Sequence, residues 1–235
     1  MKYKAILFDL DGTLMPTSND DFMKVYLSTL TEVMAPYIDP KTLMENMWAA
    51  LDTMLQDTTD ALNVDVFFGK FKSLIGVELF EAVEPKFDNY YRNEFSALKT
   101  VLDDNTKMIE TIDYLKDKGY KLIIATNPMF PPIAVEKRVE FSGLNVEDFD
   151  YISNFEEHTS TKPHINYYKE VLEKNDLNAE DCLMVGNDMQ EDMIAKELGM
   201  EGWIITDYLI SRDDNDISDW SGTRDEFYER VKVTL

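Results

Sequence analysis

The sequence AILFDLDGTL, at residues 5–14, gives the clearest indication of the fold. Its first four residues are apolar and indicate a buried strand, because strands of a parallel sheet are covered on both faces. Asp9 and Asp11 follow with one leucine between them, so their side chains lie on the same side of an extended segment. Two close carboxylates repel each other unless a cation lies between them or one of them keeps its proton. The segment therefore predicts a polar site at the carboxyl end of the first strand.

Short apolar runs later in the chain indicate further buried strands. They lie at residues 121–126, 149–153, 182–185 and 202–206, after a first strand at residues 4–8. Helical patterns at residues 105–118, 132–141, 162–174 and 188–198 separate them. Strand and helix alternate, which predicts an α/β fold with a doubly wound, Rossmann-like parallel sheet and helices on both faces.

The segment between the first and second strands has a different pattern. Four consecutive helices are predicted there, at residues 21–37, 40–55, 65–75 and 78–95, with no strand between them. Asp39 can cap the second of these helices, and Pro40 suits its first position. The sequence therefore predicts an α/β core of residues 1–15 and 98–235, into which a helical domain of residues 16–97 is inserted. We expect the helical domain to work as a lid over the site.

Polar residues follow four of the predicted strands. In chain order they are Asp9-Leu10-Asp11-Gly12-Thr13, then Thr126-Asn127, then Lys162-Pro163, then Gly186-Asn187-Asp188 with Asp192 four residues later. The carboxyl ends of parallel strands lie at one edge of a sheet, where ligands bind in open α/β folds. Magnesium prefers oxygen ligands and usually keeps several water molecules. A metal ion and a lysine can neutralise phosphoryl oxygens while a carboxylate attacks phosphorus.

These four motifs, in this order, resemble those of the haloacid dehalogenase superfamily, and the helical insert resembles the α-helical cap of that family. The resemblance covers nearly the whole chain. It implies a magnesium-dependent phosphohydrolase that cleaves a small phosphate monoester through an aspartyl-phosphate. True dehalogenases of the family lack the second aspartate of the first motif, so Asp11 favours phosphate chemistry over the cleavage of carbon–halogen bonds. The common Gly-Asp form of the fourth motif is Gly-Asn-Asp here, at residues 186–188.

The resemblance also assigns roles to residues. It makes Asp9 the nucleophile, and it makes Asp11 the general acid that later activates water. Thr126 and Lys162 would hold the transferring phosphoryl group. The residues implied for binding Mg²⁺ are Asp9, Asp11, Asp188 and Asp192, and those implied for binding substrate are Asn127 and the backbone of Leu10.

Several alternatives remain open from the sequence alone. A phosphosugar mutase or a phosphonate hydrolase would use the same fold. A phospho-accepting signalling module combines similar residues, but such a module is about half as long and places its acceptor aspartate after the third strand. Catalysis could also be lost from a binding protein of this fold. Taken singly, Asp11-Gly12 fits a hairpin turn, and Asp188 fits a helix cap with Glu191 completing a capping box.

Composition narrows the class of protein and its partners. The 235 residues carry a formal net charge of −23, which repels nucleic acid and anionic membrane surfaces. The sequence contains no run of eighteen apolar residues, so we expect no membrane span. The apolar run near residue 5 is short and leads into carboxylates, so we expect no signal peptide there. Cys182 has no second cysteine to pair with, so we expect a cytoplasmic, reducing location.

The expected partner is a small phosphorylated metabolite. We expect Cys182 to be a buried small residue, and His158 and His164 to be structural.

Overall fold

A six-stranded sheet forms the centre of the computed structural model, which describes residues 2–213 and 215–235. Neighbouring strands are parallel throughout, in the order β3-β2-β1-β4-β5-β6. The strands are β1 (Ala5–Phe8), β2 (Lys121–Ile124), β3 (Tyr151–Ile152), β4 (Cys182–Gly186), β5 (Glu201–Ile205) and β6 (Trp220–Gly222). The predicted doubly wound parallel sheet is confirmed. The strand that leads into Asp9 lies between β2 and β4, so the first motif has a central position.

Helices cover the sheet on both faces. After the insert, the chain forms α5 (Thr106–Asp117), α6 (Pro132–Phe141), α7 (Ile165–Lys174) and α8 (Arg224–Thr234). Ile6 and Phe8 of β1 belong to one cluster of buried side chains, whereas Ala5 and Leu7 belong to another. Alternate residues of the strand therefore fill two apolar layers, as expected for a sheet buried on both sides.

The insert between β1 and α5 consists of four helices and a 3₁₀ helix. They are α1 (Asn19–Met34), α2 (Pro40–Leu55), α3 (Asn63–Ile75), α4 (Val77–Arg92) and the 3₁₀ segment Glu94–Val101. Asp39 caps α2 as the sequence indicates, since its side chain accepts a hydrogen bond from the Thr42 N–H at 2.9 Å. The aromatic side chains of Phe71 and Tyr90 are fully buried, so this group of helices has an apolar interior.

Among the described residues, backbone hydrogen bonds join the helical insert to the sheet part of the chain at two places. At the first, the two connecting segments lie side by side, because the Asp103 N–H donates to the Pro16 carbonyl at 2.9 Å. At the second, the start of α3 is bonded to the loop after β3. There the Asn63 N–H donates to the His158 carbonyl at 2.8 Å, and the Val64 N–H donates to the Phe155 carbonyl at 3.0 Å.

The segment after β4 differs from the prediction. A continuous helix over residues 188–198 is wrong, because the structure has a turn followed by a 3₁₀ helix at Met193–Leu198. The Asp188 N–H bonds to the Asp192 carboxylate at 2.9 Å, and the Met189 N–H bonds to the Ile210 carbonyl at 2.9 Å. These partners hold the backbone of the turn in a shape that a regular helix does not have.

Two elements near the C-terminus have no counterpart in the sequence prediction. They are β6, which has only three residues, and α8, which begins with a capping box between Thr223 and Glu226. Within the ranges 2–213 and 215–235, no helix is long and apolar enough to cross a lipid bilayer.

Candidate active site

The four predicted motifs lie at the carboxyl edge of the sheet. Asp9 follows β1 directly, and Thr126 and Asn127 follow β2 closely. Lys162 lies in the loop between β3 and α7, and Asp188 lies just beyond β4. The chain thus carries the motif residues to the edge where open α/β sheets bind ligands.

Lys162 links the first motif to the fourth. Its side chain is buried, and its Nζ donates to Asp9 Oδ1 at 2.8 Å and to Asp192 Oδ1 at 2.6 Å. Burial acts to lower the pKa of Lys162, but the carboxylates of Asp192 and Asp9 outweigh it and raise that pKa well above its ordinary value. Lys162 is therefore a fixed positive charge beside the carboxylate of Asp9.

Asp192 lies fully buried beneath this lysine. Its second oxygen, Oδ2, accepts a hydrogen bond from the Asp188 N–H at 2.9 Å. Burial, with the nearby charge of Asp9, raises the pKa of Asp192 to about 7, although Lys162 acts in the opposite direction. A Cβ at Gly186 would overlap the Asp192 carboxylate. The glycine of the fourth motif is therefore required for this close approach.

Asp11 contacts an arginine that the sequence motifs do not indicate. Arg138 of α6 is 1% exposed, donates to Asp11 Oδ2, and lies over the Phe130 ring at 4.5 Å from its centroid. Burial raises the pKa of Asp11, and the charge of Arg138 opposes that shift. Asp11 Oδ1 is buried and has no hydrogen-bond partner within the described chain. A single arginine in an amphipathic helix carries no signal that distinguishes it from a surface charge.

The first motif turns sharply after Asp11. Gly12 has a φ of +80°, and a Cβ there would overlap the Asn187 side chain. Thr13 Oγ1 donates to Asn187 Oδ1 at 3.1 Å, which ties the first motif to the fourth. Leu10 is fully buried, and its carbonyl accepts from the Met15 N–H at 2.7 Å. The chain therefore turns at Gly12, and this turn forms part of the site.

Thr126 and Asn127 are held by their neighbours. The carbonyl of the buried Thr126 accepts from Ser153 Oγ at 2.8 Å and from the Tyr167 hydroxyl at 2.7 Å. Asn127 Oδ1 accepts from the Lys162 N–H at 3.2 Å, and its Nδ2 donates to Glu191 Oε2 at 3.0 Å. The second motif is therefore connected to the loops that carry the third and fourth motifs.

Asp188 combines a capping role with a bond to a cation. Its Oδ1 accepts from the Gln190 and Glu191 N–H groups at 3.0 and 2.9 Å, as a turn cap does. The same oxygen accepts from Arg212 Nη1 at 2.7 Å. Arg212 belongs to the exposed loop after β5, and no sequence motif points to it. The carboxylate of Asp188 thus faces a position where positive charge is favoured.

The donors at this edge fit a magnesium ion. Among the described residues, no group of three or more His, Cys, Asp or Glu side chains forms a ready-made cage. Magnesium is usually bound through one or two carboxylates and several waters rather than by such a cage. The site offers the hard oxygens that this ion prefers, including the unpartnered buried oxygen of Asp11 and the cation-facing carboxylate of Asp188.

Neither histidine nor the cysteine adds a reactive group to this edge. His158 is buried between the Tyr151 hydroxyl and the Glu170 carboxylate, each at 2.9 Å. His164 Nε2 lies 3.1 Å from the Leu55 carbonyl of α2. Cys182 is buried, and desolvation raises the pKa of its thiol to about 11.

Comparison with known proteins assigns the chain to one family. The family model described as haloacid dehalogenase-like hydrolase matches residues 6–204. The chain belongs to this family. It is therefore a hydrolase, and the resemblance found in its four motifs is confirmed.

Individual relatives are distant. Pyrophosphatase PpaX from Bacillus cereus is 27% identical over 195 residues, which cover 83% of this chain and 79% of the relative. The crystal structure of a predicted phosphoglycolate phosphatase from Haemophilus somnus has a TM-score of 0.60 at 20% identity and covers 100% and 99% of the two chains. A putative hydrolase of the family from Bacillus subtilis, YfnB, whose structure is described as bound to magnesium and as revealing interdomain movement, has a TM-score of 0.60 at 21% identity, with coverage of 98% and 99%. At these identities, the likeness shows that this chain has the same fold as the two structures.

Proposed function

We propose that this hydrolase is a magnesium-dependent phosphatase that cleaves a small phosphate monoester through an aspartyl-phosphate on Asp9. The observation that carries the proposal is the carboxylate of Asp9 held at 2.8 Å by the buried ammonium of Lys162, with Asp11 two residues away. A carboxylate fixed beside a permanent positive charge is suited to attack a phosphoryl group, whose oxygens that charge also neutralises.

The proposed reaction has two steps. In the first, a carboxylate oxygen of Asp9 attacks phosphorus, the bond from phosphorus to the leaving oxygen breaks, and Asp11 donates a proton to that oxygen. In the second, Asp11 takes a proton from a water molecule that attacks phosphorus, which releases inorganic phosphate and restores the carboxylate of Asp9. Burial of Asp11, which raises its pKa, supports its role as the proton donor.

The remaining motif residues bind and orient the phosphoryl group. Thr126 and Asn127 follow the strand next to β1, and we propose that their side chains and the Leu10 backbone hold phosphoryl oxygens. Arg138 positions Asp11 through their direct contact.

We propose that Asp9, Asp188 and the backbone carbonyl of Asp11 hold magnesium, with Asp192 beside them fixing both Lys162 and the Asp188 backbone. The ion would supply positive charge to the phosphoryl oxygens. The magnesium-bound neighbour from Bacillus subtilis supports this choice of ion.

The proposal also assigns a function to each of the two parts of the chain. We propose that residues 1–15 and 98–235 form the catalytic domain and that residues 16–97 form a cap that selects the substrate. The substrate class is a small phosphorylated metabolite, in line with the pyrophosphatase and phosphatase names of the relatives. A cytoplasmic location is supported by the single buried cysteine.

The first experiment is hydrolysis of para-nitrophenyl phosphate with magnesium and then with excess EDTA, followed by a panel of natural phosphate esters. We expect release that depends on magnesium. Asp9→Asn should lower kcat by about 10⁴-fold or more while the protein stays folded, because the nucleophile is lost. Asp117→Asn, an exposed aspartate on α5, is the matched control and should leave kcat unchanged. Activity retained by Asp9→Asn, or no hydrolysis of any ester, would overturn the proposal.

A further inference from the structure

A large cavity lies between the helical insert and the sheet part of the chain. Its volume is about 790 Å³, within the range of about 300–1,000 Å³ typical of small-molecule sites. Lys162, Asn127 and Glu191 form part of its wall, so it reaches the place where the phosphoryl group would bind. A leaving group attached to that phosphoryl group would therefore extend into this cavity.

Most of the wall is apolar. The side chains that define its character are Met47, Trp48 and Leu51 of α2, Phe67 and Phe68 of α3, and Phe130 of the loop after β2. Trp48 is 46% exposed although it lies on the cavity wall. A large aromatic side chain left open beside a cavity gains from contact with an apolar ligand, since such contact removes its surface from water.

The charges on the wall disfavour an anion. Among the described residues of the cavity wall, two side chains are cationic, and each of them is already paired with a carboxylate. Lys162 bonds to carboxylates beneath it, and Arg92 bonds to Asp88 through two contacts of 2.7 and 2.9 Å. The other charged side chains of the lining are acidic, namely Glu84, Asp88, Glu156 and Glu191. A second anionic group on the substrate would meet like charge without a free cation to pair with.

We propose that the substrate is a phosphate monoester with a large, uncharged apolar leaving group, such as a long alkyl or fused aryl alcohol. This inference rests on the proposed phosphatase function and specifies its substrate class. It separates this chain from an enzyme for pyrophosphate or phosphoglycolate, each of which carries a second anionic group that this wall would repel.

The test compares phosphonates that differ in apolar size or in charge. Ethylphosphonate and n-octylphosphonate carry the same head group and cannot be hydrolysed, and phosphonoacetate adds a second anion. Calorimetry with the magnesium-loaded full chain should show n-octylphosphonate binding at least about 100-fold more tightly than ethylphosphonate. A buried methylene contributes about fourfold, so this ratio corresponds to burial of roughly half of the six additional methylenes. Phosphonoacetate should bind more weakly than n-octylphosphonate.

Two leucine substitutions provide a matched pair. Leu51→Ala removes apolar wall and should reduce the ratio of octyl to ethyl affinity by about threefold or more. Leu74→Ala, at an exposed position on α3 outside the cavity, should leave that ratio unchanged. Thermal melting of both variants checks that they are folded.

Turnover of ethyl and n-octyl phosphate distinguishes the two proposals, because both esters have leaving groups of similar basicity. A preference for n-octyl phosphate in kcat/KM supports both. Hydrolysis of both esters with no such preference keeps the phosphatase function and overturns the apolar leaving group. Tight binding of n-octylphosphonate without hydrolysis of any ester keeps the apolar site and overturns the phosphatase function. Equal binding of the phosphonates, no binding, or a preference for phosphonoacetate overturns the inference.

Discussion

Gly186 ends β4 where the Asp192 carboxylate approaches the backbone, and a Cβ at this position would overlap that carboxylate. We predict that Gly186→Ala displaces Asp192 from Lys162 and from the Asp188 N–H. The variant should lose about 2 kcal/mol or more in free energy of unfolding, because overpacking and a broken buried contact both destabilise. It should also lose most of its phosphatase activity. Urea denaturation and kcat/KM measure the two effects.

Gly69→Ala is the control for this substitution. Gly69 lies within α3, and nothing lies within 4 Å of the position its Cβ would take. Alanine has a higher helix propensity than glycine, so this variant should gain up to about 1 kcal/mol and keep its activity. Equal stability of Gly186→Ala and the wild type would contradict the tight packing of the fourth motif.

Asp192 gives the site a predicted pH dependence of stability. Its pKa is about 7 in the folded protein against an ordinary value of 3.8, so the folded state binds the proton more tightly than the unfolded state. The free energy of unfolding therefore falls as pH rises from about 4 to about 7. The side chain of asparagine does not titrate, so the variant Asp192→Asn lacks this pH dependence.

The stability of Asp192→Asn relative to the wild type should thus rise between pH 5 and pH 8, because the wild type loses the contribution of this bound proton over that range. Urea denaturation at both pH values, with EDTA throughout to remove metal ions, measures the difference. A relative stability that stays constant or falls with pH would count against the raised pKa.

Some residues of the site can be identified from the sequence, and others can be identified only from the structure. Asp9, Lys162 and Asp188 occur in motifs at strand ends, and the sheet carries motifs of this kind to one edge. Arg138 and Arg212 lie outside any motif, on a helix face and in an exposed loop, and only the three-dimensional fold brings them to Asp11 and Asp188. Their contacts depend on long-range packing that no local spacing encodes.

Helix α3 begins at a buried asparagine that joins the insert to the sheet part of the chain. Asn63 is 1% exposed, and its Nδ2 donates to the Ser160 carbonyl at 3.2 Å and to the Pro128 carbonyl at 3.3 Å. We predict that Asn63→Ala destabilises this contact by about 1–3 kcal/mol, because it leaves the buried Pro128 carbonyl and the partly buried Ser160 carbonyl without this donor. Hydrogen exchange of the α3 backbone should become faster. If the insert acts as the proposed cap, the KM for substrate should also rise, because the insert would be held over the site less firmly.

Asn46→Ala serves as the control for this element. The Asn46 side chain donates at 2.7 Å to the Thr42 carbonyl within its own helix, α2. Its loss should leave the exchange of α3 unchanged. Faster exchange of α3 in both variants, or in neither, would show that Asn63 does not hold the insert in place.

The elements themselves were predictable where their patterns are long. The four helices of the insert and strands β1, β2, β4 and β5 have clear apolar periodicity, and their predicted bounds agree with the structure to within a few residues. The three-residue β6 is too short to carry a pattern. The turn after β4 was mistaken for a helix because its backbone partners are the distant carbonyl of Ile210 and the side chain of Asp192.

The net charge of −23 determines how the stability of the protein responds to ions. Mutual repulsion of the acidic groups opposes the compact state, and salt screens that repulsion. We therefore predict that the melting temperature rises as sodium chloride is raised from about 20 to 500 mM. Potassium chloride at the same ionic strength should give the same increase, since screening does not depend on the identity of the cation.

Magnesium should add a specific increase to this general one. A ligand that binds only the folded state at about 100 times its Kd contributes about 2.7 kcal/mol, which corresponds to several degrees for a chain of this size. The melting temperature in magnesium chloride should therefore exceed that in sodium chloride of equal ionic strength. Asp188→Asn should remove this excess and keep the response to sodium chloride, because it removes one carboxylate of the proposed metal site while leaving the rest of the molecular charge in place. Equal melting temperatures of the wild type in the two salts would show that the carboxylates at the end of β1 and β4 respond to magnesium only through screening.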